Sequence, residues 1–596
     1  MEGSRTMSDD QKVQPEAAPA AERPQGAPPP AWQRAVRRYG PIVAVVALVA
    51  GAVAVFGGGG DDGDDESAGG GGGSGEIPSE EELVRSGPMT PQKAELLGEE
   101  VDFGPGCDTE RGTIMLPSTY APPCVEPFAG DNGGATSPGV TAGEVKLVYY
   151  RSDPAIDPLA AATATQAGVD VDPEAEVATI QGYLDIYNAV FETYGRTVTL
   201  EVYTGTGAND DIEAARADAI AIAEKEPFAV IGGPPQASAV YAGELASRGI
   251  VCGPGCAFTL PEEIVEEFEP FLWQALQTPQ QGVLAASNAI GNLAGPGPAE
   301  LAGDPELREQ DRLYGIVHYD NTNGDHQSVY EDFVGYLAEY DIEIAADVPF
   351  TLDLARVQEN ARTMITKLKE EGVTTVIFYG DPITPSALTA EATAQDYWPE
   401  WILGPNLLMD TTVFGRLTDG EQWKNGFGVS TTPARGELEA TESYEIYDWA
   451  YGAAPPHNAF RIFDPYIRTM FNAIHMAGPD LTPEAFRDAM WRTPPAGGGP
   501  TAPLISRGDH GIWPEDDWGG VDDGTLIWWD PTATGAAETG VEGQGMYRYA
   551  NGGERYTFDE SPSLEEVGLF DVERSVTVYE EIPEEDRLPE YPPPDL

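Results

Sequence analysis

From Glu144 onward the chain alternates short, nearly continuous apolar runs with stretches of helical periodicity, and it passes through that alternation twice. In the first pass VKLVYY (145–150), TVTLEVY (197–203), FAVIGG (228–233) and GIVCGP (249–254) read as strands. Between them Val177, Ile180, Leu184, Tyr187 and Phe191 recur at three- and four-residue steps, which predicts a helix over 175–194; further helices are predicted over 211–225 and 236–248. The second pass runs LYGIVHYD (313–320), helix 325–339, IEIAADVPF (342–350), helix 356–371, VTTVIFYG (373–380), a helix near 384–396 and WILGPN (401–406). Strands apolar on both faces and separated by helices belong to parallel sheets covered on both sides. The expected fold class is therefore α/β, with two doubly wound parallel-sheet lobes and a hinged cleft. FLWQALQTP (271–279) and GFGVSTTP (426–433) read as extended crossings between the lobes. Ligands of open α/β sheets bind beyond the carboxyl ends of the strands, and here two such edges are expected to face each other.

The order of elements over 144–490 resembles the branched-chain amino acid and amide-binding group of type I periplasmic binding proteins. FAVIGGPPQAS (228–238) followed by GIVCGP is similar to that family's third strand, ligand-binding turn and fourth strand. HNAFRIFDPYIRTMFNAIHMAGPDLTPEAFRDAM (457–490) resembles its late helix pair, with Thr482 or Pro483 as the helix-start signal. The resemblance implies the type I periplasmic-binding fold and capture of a small polar solute, amino-acid- or amide-like, for an ABC permease. A membrane-anchored sensor or scaffold of the same fold is the alternative. The expected segments are 144–272 as the first part of lobe 1, 273–402 as the main part of lobe 2, and 403–500 as the return to lobe 1. The tail 501–596 departs from the ordinary pattern; GDHGIWPEDDW, TLIWWDP and GMYRYANGGERY resemble an aromatic extension of actinobacterial members, for which packing is the expected role.

The front end reads differently. Residues 1–40 form a Pro/Ala-rich leader ending in Arg34, Arg37 and Arg38, followed by the uncharged run PIVAVVALVAGAVAVF (41–56) and an acidic cluster beginning at Asp61. Cations before and carboxylates after an apolar run orient it with its N-terminus in the cytoplasm. Residues 41–60 are expected to be an uncleaved membrane anchor with the folded body extracellular. A cleaved signal, with Ala52-Val53-Ala54 as the small-residue site, and a buried core helix are the other readings. Residues 61–143 read as a Gly/Pro-rich linker and a stapled, mostly irregular lead-in.

With 100 Asp+Glu against 33 Lys+Arg, the formal charge is −67. That charge repels the phosphate backbone, so no nucleic-acid partner is expected. Cys107, Cys124, Cys252 and Cys256 lack zinc-ribbon or CxxC spacing and allow three pairings; in an oxidising compartment the local one, Cys107–Cys124 with Cys252–Cys256, is favoured. There is no GxSxG elbow, HExxH or P-loop, so the chain reads as a binding protein and not an enzyme, with no cofactor or metal. The five histidines are scattered, and DDWGGVDDG (516–524) reads as a solvated acidic loop.

The candidate ligand contacts sit at predicted strand ends. They are Tyr150 and Arg151 after the first strand, Gln236 and Ser238 in the turn after the third, Asn323 after the first strand of lobe 2, and Asp381 and Thr384 after VTTVIFYG. The resemblance implies that the turn after the third strand meets a ligand carboxylate; here it reads GPPQAS, and its two prolines remove backbone donors. Asp381 is placed to meet a ligand ammonium.

Overall fold

The computed structural model describes residues 79–156, 168–257, 259–319, 327–351, 356–406, 408–424 and 426–596. The expected anchor, the leader and Asn323 lie outside the described residues. Among the described residues no helix is long and apolar enough to cross a membrane.

The lead-in holds the helices Glu80–Ser86 and Pro91–Leu97 and a small antiparallel pair, β1 (Cys107–Asp108) and β2 (Thr113–Ile114). The first lobe follows with β3 (Glu144–Arg151), β4 (Thr197–Thr204), β5 (Ala229–Ile231) and β6 (Val251–Cys252), all parallel in the order β4-β3-β5-β6. Its helices begin where acidic caps stop the extended backbone. Asp172 accepts from the N–H groups of Glu174 and Ala175 ahead of Pro173–Val190, and Asp211 accepts from Ala214 N–H at the start of Ile212–Ala223.

The second lobe has β7 (Tyr314–Tyr319), β8 (Ile344–Phe350), β9 (Thr375–Gly380), β10 (Glu400–Asn406) and β11 (Gly426–Ser430), parallel in the order β8-β7-β9-β10-β11. Period-two alternation divides its side chains between two cores. Val317, Val376, Phe378 and Leu403 pack under helices Val357–Glu370 and Thr384–Ala394, while Ile316, Ile377 and Ile402 pack under Pro279–Leu293 and Gln327–Glu339. At the amino edge Glu400 joins three strand starts: Arg312 Nε lies 2.8 Å from its Oε2, and Thr375 Oγ1 donates to the same oxygen at 2.6 Å.

Two features differ from the sequence reading. GFGVS is no crossing but the fifth strand, so the second lobe runs to Ser430 and not to residue 402; the passage back begins at Thr431. Its glycines are required by the pairing, because a Cβ at Gly428 would lie 2.6 Å from Leu403 O. The tail packs, as expected of it, but does so as part of the sheet. It contributes β12 (Asp523–Ala536), β13 (Glu542–Tyr549) and β14 (Arg555–Thr557), and β12 pairs antiparallel with β11. Ile527 and Trp529 enter one core of the second lobe, Leu526 and Trp528 the other.

The late helices Glu442–Tyr451, Phe460–Ala477 and Pro483–Arg492 return to the first lobe, where Ile467, Phe471, Phe486 and Met490 join its core. Thr482 caps the last of them through Ala485 N–H, as LTPE implies. His475 fastens the lead-in to this lobe. Its Nδ1 accepts from Glu192 N–H at 2.9 Å and its Nε2 faces Pro123 O at 3.0 Å. Burial pushes the imidazole down to about 4, since the charged form has no water there.

Two outcomes are expected. The unfolded chain binds a proton at His475 between about pH 6.5 and 4 that the folded chain refuses, so stability carried by neutral His475 is complete above 6.5 and is lost as pH falls toward 4, by roughly 3 kcal/mol. Denaturant titrations of wild type and His475→Gln across that window check it, the acid loss being smaller in the variant. Asp464, pushed up to about 6 by burial, has the opposite sign and is common to both proteins. Second, Cys107 and Cys124 (Cα atoms 5.7 Å apart) and Cys252 and Cys256 (5.3 Å) stand at disulfide geometry. Peptide mapping without reductant is expected to recover these two linked pairs.

Candidate functional site

The carboxyl ends of the second lobe's strands surround a cavity of about 230 Å³. Tyr319 closes β7, Tyr379 and Gly380 close β9, and Gly404 and Pro405 reach it from β10. Because β12 runs antiparallel to β11, its first residues stand at the same edge, and Asp523, Gly524 and Leu526 form the opposite wall with Tyr556 and Phe558. Leu276 to Pro279, on the passage from the first lobe, make the floor; Thr259 is the first lobe's own contribution. Thr278 is fixed by a capping box with Gln281, which starts the helix Pro279–Leu293 at the cavity wall.

Three carboxylates stand in this wall, and each is built in. Asp410 is buried, and accepts from Ser430 Oγ at 2.5 Å and Thr432 Oγ1 at 3.0 Å; burial raises its proton affinity against those hydrogen bonds. Asp523 forms a buried ion pair with Arg555 at 2.6 Å. Asp522 accepts from Ser506 Oγ at 2.7 Å and Trp513 Nε1 at 3.0 Å. Behind it lies Asp517, bonded by Gln281 Nε2 at 2.6 Å and Gly519 N–H at 2.8 Å, whose carboxyl is raised by burial and by the charge of Asp522. DDWGGVDDG is therefore not a solvated loop: Asp517, Asp522 and Asp523 are 1%, 0% and 3% exposed. The charge density of the run hid that, because Asp517, Asp522 and Asp523 take their bonds from Gln281, Ser506 and Arg555, which are distant in sequence.

None of the six described candidates from the sequence lines this cavity. Tyr150 is buried in the first lobe, stacked on Tyr203 with its hydroxyl 3.4 Å from Asp218 Oδ2. Arg151 is half-buried and reaches Thr204 Oγ1 at 3.4 Å. Ser238 is the buried first residue of the helix Ser238–Ala246, and the half-buried Gln236 has no hydrogen-bond partner on its Oε1. The structure does bring Asp381 and Thr384 together, as a turn that starts a helix. Asp381 Oδ1 accepts from the N–H groups of Ile383 and Thr384 at 2.8 and 2.7 Å, and Oδ2 accepts from Thr384 Oγ1 at 2.7 Å. His318 lies 2.5 Å from Asp347 and stacks on Tyr330. Among the described residues no group of His, Cys, Asp or Glu is arranged to hold a metal ion.

Two parallel-sheet α/β lobes with a cavity at the strand ends define a two-lobed α/β protein, the arrangement implied by the resemblance to type I periplasmic binding proteins. No protein-family model and no curated protein matches the chain. Solved structures do resemble it. The solute-binding protein of an ABC transporter from R. palustris, in complex with 4-hydroxybenzoate, is 11% identical over 72% of this chain and 99% of its own, with a TM-score of 0.46. The leucine-, isoleucine-, valine-, threonine- and alanine-binding protein from Brucella ovis is 14% identical over 70% of this chain and 96% of its own, at 0.48. The branched-chain amino acid transporter substrate-binding protein from Streptococcus pneumoniae, in complex with isoleucine, is 14% identical over 68% and 99%, at 0.43.

Asp381→Ala removes the acceptor for three donors in a buried turn, so it is expected to cost about 1–3 kcal/mol of stability. Denaturant unfolding of the variant measures the loss.

Proposed function

We propose that the chain captures a small organic solute in the cavity at the carboxyl edge of the second lobe and presents it to an ABC permease, with residues 41–60 holding the body at the outer membrane face. The observation that carries this reading is the cavity itself. Its walls come from strand ends, the inter-lobe passage and the tail, and combine aromatic rings with hydroxyls that fix orientation. At about 230 Å³ it suits a metabolite of amino-acid or amide size and is below the volume of drug-sized pockets. Solute capture also agrees with the exposed acidity of the chain, which keeps such a body soluble without adding a reactive group.

Gly282 offers a clean test. It stands on the helix at the cavity wall, and a Cβ there would meet no atom within 4 Å. Gly282→Leu therefore starts a bulky side chain from open space at the cavity wall, and by helix propensity stabilises the helix by about 0.8 kcal/mol. In a thermal-shift screen of amino acids, amides, amines and aromatic acids, a ligand of wild type raises its melting temperature. The variant is expected to keep or exceed the wild-type melting temperature without ligand and to lose the ligand-induced rise. An undiminished rise in the variant places the solute elsewhere.

A further inference from the structure

We infer that the solute is an organic cation, an apolar or aromatic amine, and not a carboxylate. This rests on the cavity being the solute site.

Among its described lining residues there is no lysine, arginine or histidine, while Asp410, Asp522 and Asp523 all reach the wall. Two guanidiniums stand behind this wall and not in it: Arg555, whose Nη2 lies 2.6 Å from Asp523 Oδ1 and 3.1 Å from Thr431 O, and the buried Arg507, whose charge acts on Asp522. A carboxylate entering here leaves water and meets three aspartates in the wall and no cationic side chain among the described lining residues, so no lining charge offsets its desolvation. An ammonium meets the reverse: acceptor oxygens, and rings of Tyr319, Tyr379 and Tyr556 whose negative faces attract a desolvated cation. Leu276, Leu408, Val429 and Leu526 complete the wall and suit an alkyl or aryl body. The field of the whole chain acts in the same direction, since a formal charge of −67 raises the local concentration of cations and depletes anions. The shape of the site and its sign thus select a different half of an amino acid from the one that the GPPQAS turn was expected to hold.

The experiment is a calorimetric and thermal-shift comparison on the full chain at constant ionic strength. Phenethylamine and isoamylamine are set against their carboxylate counterparts, 3-phenylpropanoate and 4-methylpentanoate, with methylammonium chloride as the control for non-specific cation binding. Both larger amines are expected to raise the melting temperature above the methylammonium control. Gly282→Leu is expected to abolish the rise. Asp410→Asn, which keeps the side-chain shape, is expected to weaken amine binding by about tenfold or more through loss of a charge-assisted contact. Binding of the carboxylates, abolished by Gly282→Leu, overturns the cation class while leaving the cavity as the solute site. Amine binding that survives Gly282→Leu overturns both readings. Amines that shift no more than methylammonium overturn the class outright.

Discussion

The second lobe depends on one antiparallel pairing, Phe427–Ser430 with Thr525–Trp528. A parallel sheet ending at β11 leaves a row of backbone donors and acceptors exposed, and a flat edge of that kind invites pairing with other chains. The tail covers it from the same chain. In doing so it sends alternate side chains of β12 into the two cores on either side of the sheet, so one strand seals an edge and completes two hydrophobic layers. The antiparallel direction matters for the site as well. It puts the start of β12, with Asp522 and Asp523, beside the carboxyl ends of the parallel strands, where a parallel addition would have put its far end.

Most of the scaffold was legible because its signals are local. Apolar runs at 145–150, 197–203 and 373–380 and the three- and four-residue steps of 175–194 fall where the strands and helices are, with boundaries moved by a residue or a few. LTPE predicts the cap at Thr482 because a cap is decided within four residues. GFGVS was not legible as a strand: five residues with two glycines carry little strand propensity, and what makes them a strand is the close approach of β10 and a partner nearly a hundred residues later. The strand pairing of the tail escaped for the same reason, since its bond to β11 is entirely non-local.

The site was less legible than the fold. Asp381 illustrates why: an aspartate at a strand end is equally a ligand contact and a helix starter, and D-P-I-T-P carried the starter signal through Thr384 and Pro385. Two of the three acids that reach the cavity, Asp522 and Asp523, lay in a stretch that composition assigns to solvent. Their burial follows from Ser506, Trp513 and Arg555, each meeting its partner only once the tail is folded, and no spacing rule links them.

The position of the cavity also bears on how ligand binding would reach the hinge. Its floor is the first passage, and that passage runs hydrogen-bonded beside the segment 518–520 that leads into β12: Gln274 N–H donates to Trp518 O at 3.3 Å, and Gly520 N–H to Leu276 O at 3.1 Å. The tail ties the lobes again further on. Tyr579 N–H donates to Arg435 O at 2.8 Å, just past β11, and Trp449 Nε1 of the first lobe donates to Tyr591 O at 2.9 Å. Any rotation about the passages must carry this strap or break it. A ligand shifts such an equilibrium only by contacting the two states differently, and few cavity residues belong to the first lobe. The leverage therefore lies in the passages, at Leu276 to Pro279 and at Asp522 to Gly524, which are at once walls of the cavity and parts of the links between the lobes. A solute seated there would touch both links at once, without having to bridge two distant lobe tips.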